Sequence, residues 1–118
     1  MSEKESVVDE FTESPVMLNQ GEINALKKAI LYLKFDCEET SSLIYTGSEL
    51  INSAFDKLVT GSRSADRERK FYNTRNTDVE EHVLKKINDQ REFEGEVKAK
   101  TISEIEYFED YIYPFKAE

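Results

Sequence analysis

Cysteine, histidine and tryptophan are nearly missing from this chain: its 118 residues include one cysteine, Cys37, one histidine, His82, and no tryptophan. A single cysteine excludes an internal disulfide and any metal site built on a cysteine cluster, and an unpaired thiol fits a reducing compartment. One histidine excludes the two Glu-x-x-His motifs of a carboxylate-bridged di-iron bundle. Gly21, Gly47, Gly61 and Gly95 each stand alone, so there is no glycine-rich phosphate loop. No stretch approaches the roughly 18 apolar residues of a membrane-crossing helix. The first residues, Met1-Ser2-Glu3-Lys4-Glu5-Ser6, carry no apolar signal region. These absences point to the cytoplasm or the nucleus, with no membrane span, no metal and no cofactor.

Charge, by contrast, is plentiful. Charged residues make up 35% of the chain and the formal net charge is -9. That balance argues against general affinity for nucleic acid or anionic membrane and suits an acidic surface that meets a basic partner. The length allows one domain at most, burying about 65% of the unfolded chain's surface. Much of the chain must therefore face water.

The clearest periodicity lies over residues 19–37. Ile23, Leu26, Ile30, Leu33 and Cys37 fall on one side of a helix, with Lys27, Lys28 and Lys34 on its other faces. Asn19 and Glu22 form a capping box at its start, and the pattern predicts a helix running to about Thr40. Residues 1–18 form a separate acidic-apolar piece, in which Glu3, Glu5, Asp9, Glu10 and Glu13 alternate with Val7, Val8, Phe11, Val16, Met17 and Leu18. This is either a frayed tail or a segment that orders on a partner. A second stripe follows: Leu43, Ile44, Leu50, Ile51, Ala54, Phe55, Leu58 and Val59. It is broken or kinked at Gly47, where Thr46 and Glu49 offer another capping box. Gly61-Ser62-Arg63-Ser64 reads as a loop, and so does Asn73-Thr74-Arg75-Asn76. Thr77 and Glu80 cap a last long segment with its stripe on Val79, Val83, Leu84 and Ile87. Residues 93–101 alternate like a strand, but Glu, Lys and Ala favour helix and a lone strand would lack a partner. Helix is the expected state there, with a break at Gly95. Helical spacing returns at Ile102, Ile105, Phe108 and Ile112, and Pro114 ends it. The expected fold is all-α: a small antiparallel helical bundle or helical hairpin with long helices, the first and last packed together and open to self-association. It occupies residues 19–115 as one domain, followed by a tail at 116–118.

No catalytic constellation emerges. Asp78 and His82 share a helical face but two ligands do not make a metal site, and His82 reads as a surface residue. Cys37 lies on the apolar stripe, where a thiol is buried and inert. Neighbouring carboxylates such as Glu38-Glu39 and Glu80-Glu81 point different ways on a helix. Three other groupings remain. Arg63, Arg67, Arg69 and Lys70, with Arg75 and the rings of Phe71 and Tyr72, form the one basic patch, which pairs more readily with acidic protein surface than with nucleic acid. Glu92, Glu94, Glu96, Glu106 and Asp110, with Glu104 and Glu109, crowd an acidic last third. Tyr107, Phe108, Tyr111, Ile112, Tyr113 and Phe115 make an aromatic C-terminus that serves either the core or a partner surface. The expected function is a small non-enzymatic protein–protein interaction module (regulator, adaptor or assembly subunit). It would bind another protein, a basic one included, through apolar helical faces and this C-terminus. The alternative is an acidic inhibitor or antitoxin-like protein that occupies a basic nucleic-acid-binding or nuclease surface.

Overall fold

In the computed structural model, which describes residues 10–117, every regular element is a helix. Positions 1–9 of the expected N-terminal tail, and Glu118, lie outside the described residues. Helix α1 (Gln20–Leu31) runs on through a π turn (Tyr32–Asp36). A 3-10 turn (Thr40–Ser42) then leads into α2 (Leu43–Thr46). Three helices follow, α3 (Glu49–Thr60), α4 (Ala65–Tyr72) and α5 (Thr77–Phe93). The chain closes with a second 3-10 turn (Ile102–Glu104) and α6 (Phe108–Ile112). Helix α1 packs on α3, while α5 packs on the π turn, the second 3-10 turn and α6. Among the described residues no helix is long and apolar enough to cross a membrane.

The start of α1 forms as its capping residues dictate. Asn19 Oδ1 accepts from the Glu22 amide at 2.8 Å, and Glu22 Oε1 accepts from the Asn19 amide at 2.9 Å. Its end differs from the expectation. The α-helix stops at Leu31, the Cys37 amide reaches back five residues to the Tyr32 carbonyl at 2.8 Å, and Cys37 itself is extended. Two other caps shift by one or two positions. Ser48, not Thr46, caps α3 by accepting from Ile51, because Thr46 is buried and its hydroxyl donates to the Ser42 carbonyl. Asn76, not Thr77, caps α5 by accepting from Val79, and Glu80 turns instead to Arg75 at 3.0 Å.

The buried face of α1 is also rotated from the apolar stripe. Ile23, Lys27 and Lys34 are buried, whereas Leu26 is 44% exposed. The other faces of the helix, on which Lys27 and Lys34 fall, thus belong in part to the buried surface. Lys27 Nζ donates to Ser62 Oγ at 2.6 Å and to both Glu68 oxygens, at 2.8 and 2.7 Å, which ties α1 to α4. Burial opposes ionisation of Glu68, but the hydrogen bonds from Lys27 and Ser64 and the charges of Lys27 and Arg67 hold its carboxyl below the usual range. Lys34, 1% exposed, donates to the Thr46 carbonyl, to Asn52 Oδ1 at 2.8 Å and to the Asp110 carbonyl at 3.3 Å. Burial drives its ammonium down to about 7, against the pull of Asp110 and with a further push from the Lys86 charge.

Lys86, 2% exposed, reaches from α5 to close the end of the first helix. Its Nζ donates to the carbonyls of Leu33, Lys34 and Cys37, at 3.2, 3.3 and 3.0 Å, and to Ser42 Oγ at 2.8 Å. A helix end leaves carbonyls without amide partners, and a lysine from another helix satisfies them here. Lys34, Asn52, Thr46, Ser42 and Lys86 thus form a buried polar seam. Beside it sits the main apolar core of Val83, Ile87, Ala99, Ile102, Ile105 and Ile112. Ile23, Phe55 and Val59 are also buried but stand apart from that cluster.

After α5 the chain is neither helix nor strand, which corrects the helical expectation for residues 96–101. Gly95 adopts a left-handed φ of 75° and turns the chain back along α5. Asn88 then holds the returning segment by both ends of its amide. Its Oδ1 accepts from the Ala99 amide at 2.9 Å and its Nδ2 donates to the Ala99 carbonyl at 2.7 Å. One side chain thereby replaces the neighbouring strand that the alternating pattern lacked. The spacing of Ile102, Ile105, Phe108 and Ile112 still marks core-facing residues, although a left-handed residue at Tyr107 separates the 3-10 turn from α6.

Candidate functional site: a groove between two helices and the C-terminal segment

Two groups that lie far apart in sequence meet in one groove. Phe55, Asp56 and Val59 from α3 form one wall, and Arg69, Lys70, Tyr72 and Asn73 from α4 and its end form another. Tyr113, Pro114 and Lys116 form the third side of this open groove, whose volume is about 410 Å³. The amphipathic pattern of α3 places Phe55 and Val59 inward, where both are buried. Linked rings then fix the third wall. Phe55 meets Tyr72 edge-on at 5.8 Å, Tyr72 meets Phe115 at 5.3 Å, and Phe115 meets Phe35 at 5.9 Å. Such tilted pairs are the favoured aromatic geometry. The Lys116 amide also donates to the Thr74 carbonyl at 3.1 Å, so the chain stays attached past Phe115.

Charge is arranged unevenly around this groove. Asp56 Oδ1 accepts from Arg69 Nη1 at 3.1 Å and from the Tyr113 hydroxyl at 3.3 Å, while Arg69 Nη2 donates to Thr60 Oγ1 at 2.6 Å. Burial raises the Tyr113 hydroxyl above its usual range, and the charge and hydrogen bond of Asp56 add to that. Tyr72 is raised as well, by burial and by Glu68. Both hydroxyls therefore stay protonated, and that of Tyr113 donates to Asp56. Lys70 and Lys116 have no carboxylate within ion-pair distance among the described residues. Arg69, Lys70 and Lys116 against Asp56 give the lining a net charge of +2 in a chain of -9.

The basic patch is thus only partly brought together. Arg69 and Lys70 line the groove, Arg67 is exposed on α4 without lining it, and Arg63 sits at the α3–α4 turn with its amide donating to Gln20 Oε1 at 3.0 Å. Phe71 joins the rings, 5.3 Å from Tyr72 and 5.7 Å from Phe115. The aromatic C-terminus divides in the same way. Ile112 is 0% exposed and belongs to the core, so it cannot form part of a contact surface. Phe108 and Tyr111 pack partly buried against that core, Tyr113 lines the groove, and Phe115 anchors its rings. Tyr107 alone stands out, 70% exposed and left-handed at φ 61°. The acidic set forms no single face. Glu92 pairs with Lys98 at 3.2 Å, Glu94 accepts from Gln90 at 2.7 Å, and Glu96 is exposed, all at the far end of α5. Glu106 and Asp110 flank Tyr107 near α6, and the Asp110 carbonyl is tied to Asn52 at 2.9 Å.

His82 is half-buried, with Nε2 enclosed and lacking a hydrogen-bond partner among the described residues, so it is not the surface histidine expected. Cys37 is half-buried rather than fully enclosed. Among the described residues no three His, Cys, Asp or Glu side chains gather so as to hold a metal ion. Lys116 lines the groove although the sequence places it in a tail, and the run of rings just before it is the signal that it stays attached. Neither family models, nor curated proteins, nor solved structures match this chain.

Proposed function

We propose that this chain is a small, non-enzymatic protein–protein interaction module that holds a segment of another protein in the groove between α3, α4 and the C-terminal segment. One observation carries the reading: Lys70 and Lys116, without carboxylate partners among the described residues, rim an apolar floor that the fold makes rigid with linked rings. A buried apolar surface beside a charged rim is the usual anatomy of a contact site. We read the helices as a small bundle serving as the frame for this groove. The inhibitor reading has less support, since its carboxylates divide between the end of α5 and α6.

The test is a pull-down from the source cells with the tagged full chain, after nuclease treatment, beside the double variant Lys70→Glu/Lys116→Glu. A partner retained by the parent chain and lost from the folded variant supports the reading. Equal retention by both overturns it.

A further inference from the structure

The composition of the whole molecule suggests a basic partner; the groove has the opposite polarity. Resting on the reading just given, we infer that the groove takes an acidic peptide segment carrying an aromatic side chain. Three cations and one carboxylate line it. The carboxylate is already engaged, because Asp56 holds both Arg69 and Tyr113. It therefore offers little repulsion to an incoming acid. Lys70 and Lys116 sit on different walls, so carboxylates on either side of one inserted side chain can meet one ammonium each. The accessible apolar lining comes from the half-buried Tyr72, Tyr113 and Pro114, with Phe55 and Val59 buried beneath it, and an incoming ring can meet the two tyrosines at edge-on geometry. A volume of about 410 Å³ accommodates one large side chain with its flanking backbone.

The same cations and rings could receive nucleic acid, but charge decides between the two. A polyphosphate strand meets a molecule of net charge -9 along its whole length. A short acidic peptide needs to meet only the locally positive groove. Selectivity should therefore be for a compact acid rather than a long polyanion.

The probe is a fluorescein-labelled Glu-Glu-Tyr-Glu-Glu peptide, titrated with the full chain by anisotropy. Three controls accompany it: Glu-Glu-Gly-Glu-Glu, Lys-Lys-Tyr-Lys-Lys and an oligouridylate. Binding of the first alone is expected. It should weaken at least about tenfold in Lys70→Glu/Lys116→Glu and fall steeply with salt. Asn73→Trp, which places a ring into the groove from an exposed position, should block binding while circular dichroism stays unchanged. Tighter binding of the oligouridylate or of the lysine peptide overturns the inference. So does peptide binding that survives both variants. If no peptide binds but the cellular partner is still lost from the double variant, this inference falls and the interaction reading stands. If the partner is retained as well, both fall.

Discussion

At the residue scale, the unusual groups are lysines placed where water is absent. Lys34 has its ammonium lowered to about 7 by burial, whereas an unfolded chain holds it near the ordinary lysine value of about 10.5. Between those values the folded chain binds fewer protons than the unfolded one, so stability rises with pH across that window; below it both states are protonated, the slope from this group is zero and its burial penalty is fully present. The gain is at most on the order of 3–5 kcal/mol. Lys86, also lowered by burial, acts in the same direction. Urea titrations from pH 7 to about 9.5 should show rising stability, and Lys34→Met should remove most of the slope. A wild-type profile that is flat would refute the assignment. Glu68 works at the other end of the scale: its lowered carboxyl contributes stability that is lost as pH falls below the ordinary carboxylate range. Lys27→Met, which strands that carboxylate, should cost about 2–4 kcal/mol at neutral pH by the same measurement. Tyr107 gives a test of opposite sign. Its ring is exposed and its backbone left-handed, so Tyr107→Gly should stabilise the fold by about 0.5–1 kcal/mol, read as a higher melting temperature.

Elements are held by local caps and by clasps from far along the chain, and only the caps are legible in the sequence. Asn19 and Glu22 announced the start of α1 because both partners lie within one turn. Val83 and Ile87 announced the buried face of α5 because a helix repeats every few residues. Lys27 and Lys34 went unread for a physical reason. With Ile23 and Ile30 they share the heptad spacing of a buried face, but a lysine is assigned to water unless its acceptors are known. Those acceptors, Ser62, Glu68, Asn52 and Asp110, lie in other elements. The Asn88 clasp is equally hidden in the sequence, where the returning segment reads as helix. Asn88→Ala should cost about 1–2 kcal/mol and speed amide exchange at Ala99, while α5 stays protected. Gly47 marks a corner for more than its flexibility. A Cβ there would meet the Tyr111 ring at 2.6 Å, so Gly47→Ala should destabilise by about 1–3 kcal/mol in a thermal melt.

At the scale of the whole molecule, net charge misleads about the candidate site. The basic patch and the aromatic C-terminus were both visible in the sequence as groups, but their meeting was not. Tyr113 and Lys116 lie more than forty residues from Arg69 and Lys70, and the packing of α6 on α5 and α2, with the Phe115 rings and the Lys116–Thr74 hydrogen bond, brings the C-terminal segment beside α4. Periodicity reports which way a residue faces along its own helix and carries no information about what faces it. Hence Ile112 could be weighed for core or surface but not assigned, and it is core.

The lysine of α5 that closes the first helix also sets an order of events during synthesis. Leu33, Lys34 and Cys37 leave the ribosome about fifty residues ahead of Lys86, so their carbonyls must stay hydrated until α5 is made. Until then the polar seam has no cation from that side, and α1 can pack on α3 with only its N-terminal half secured. A nascent chain halted before Lys86 is thus a partly open species with an unfinished helix end. The second half of this protein acts as the clasp of the first.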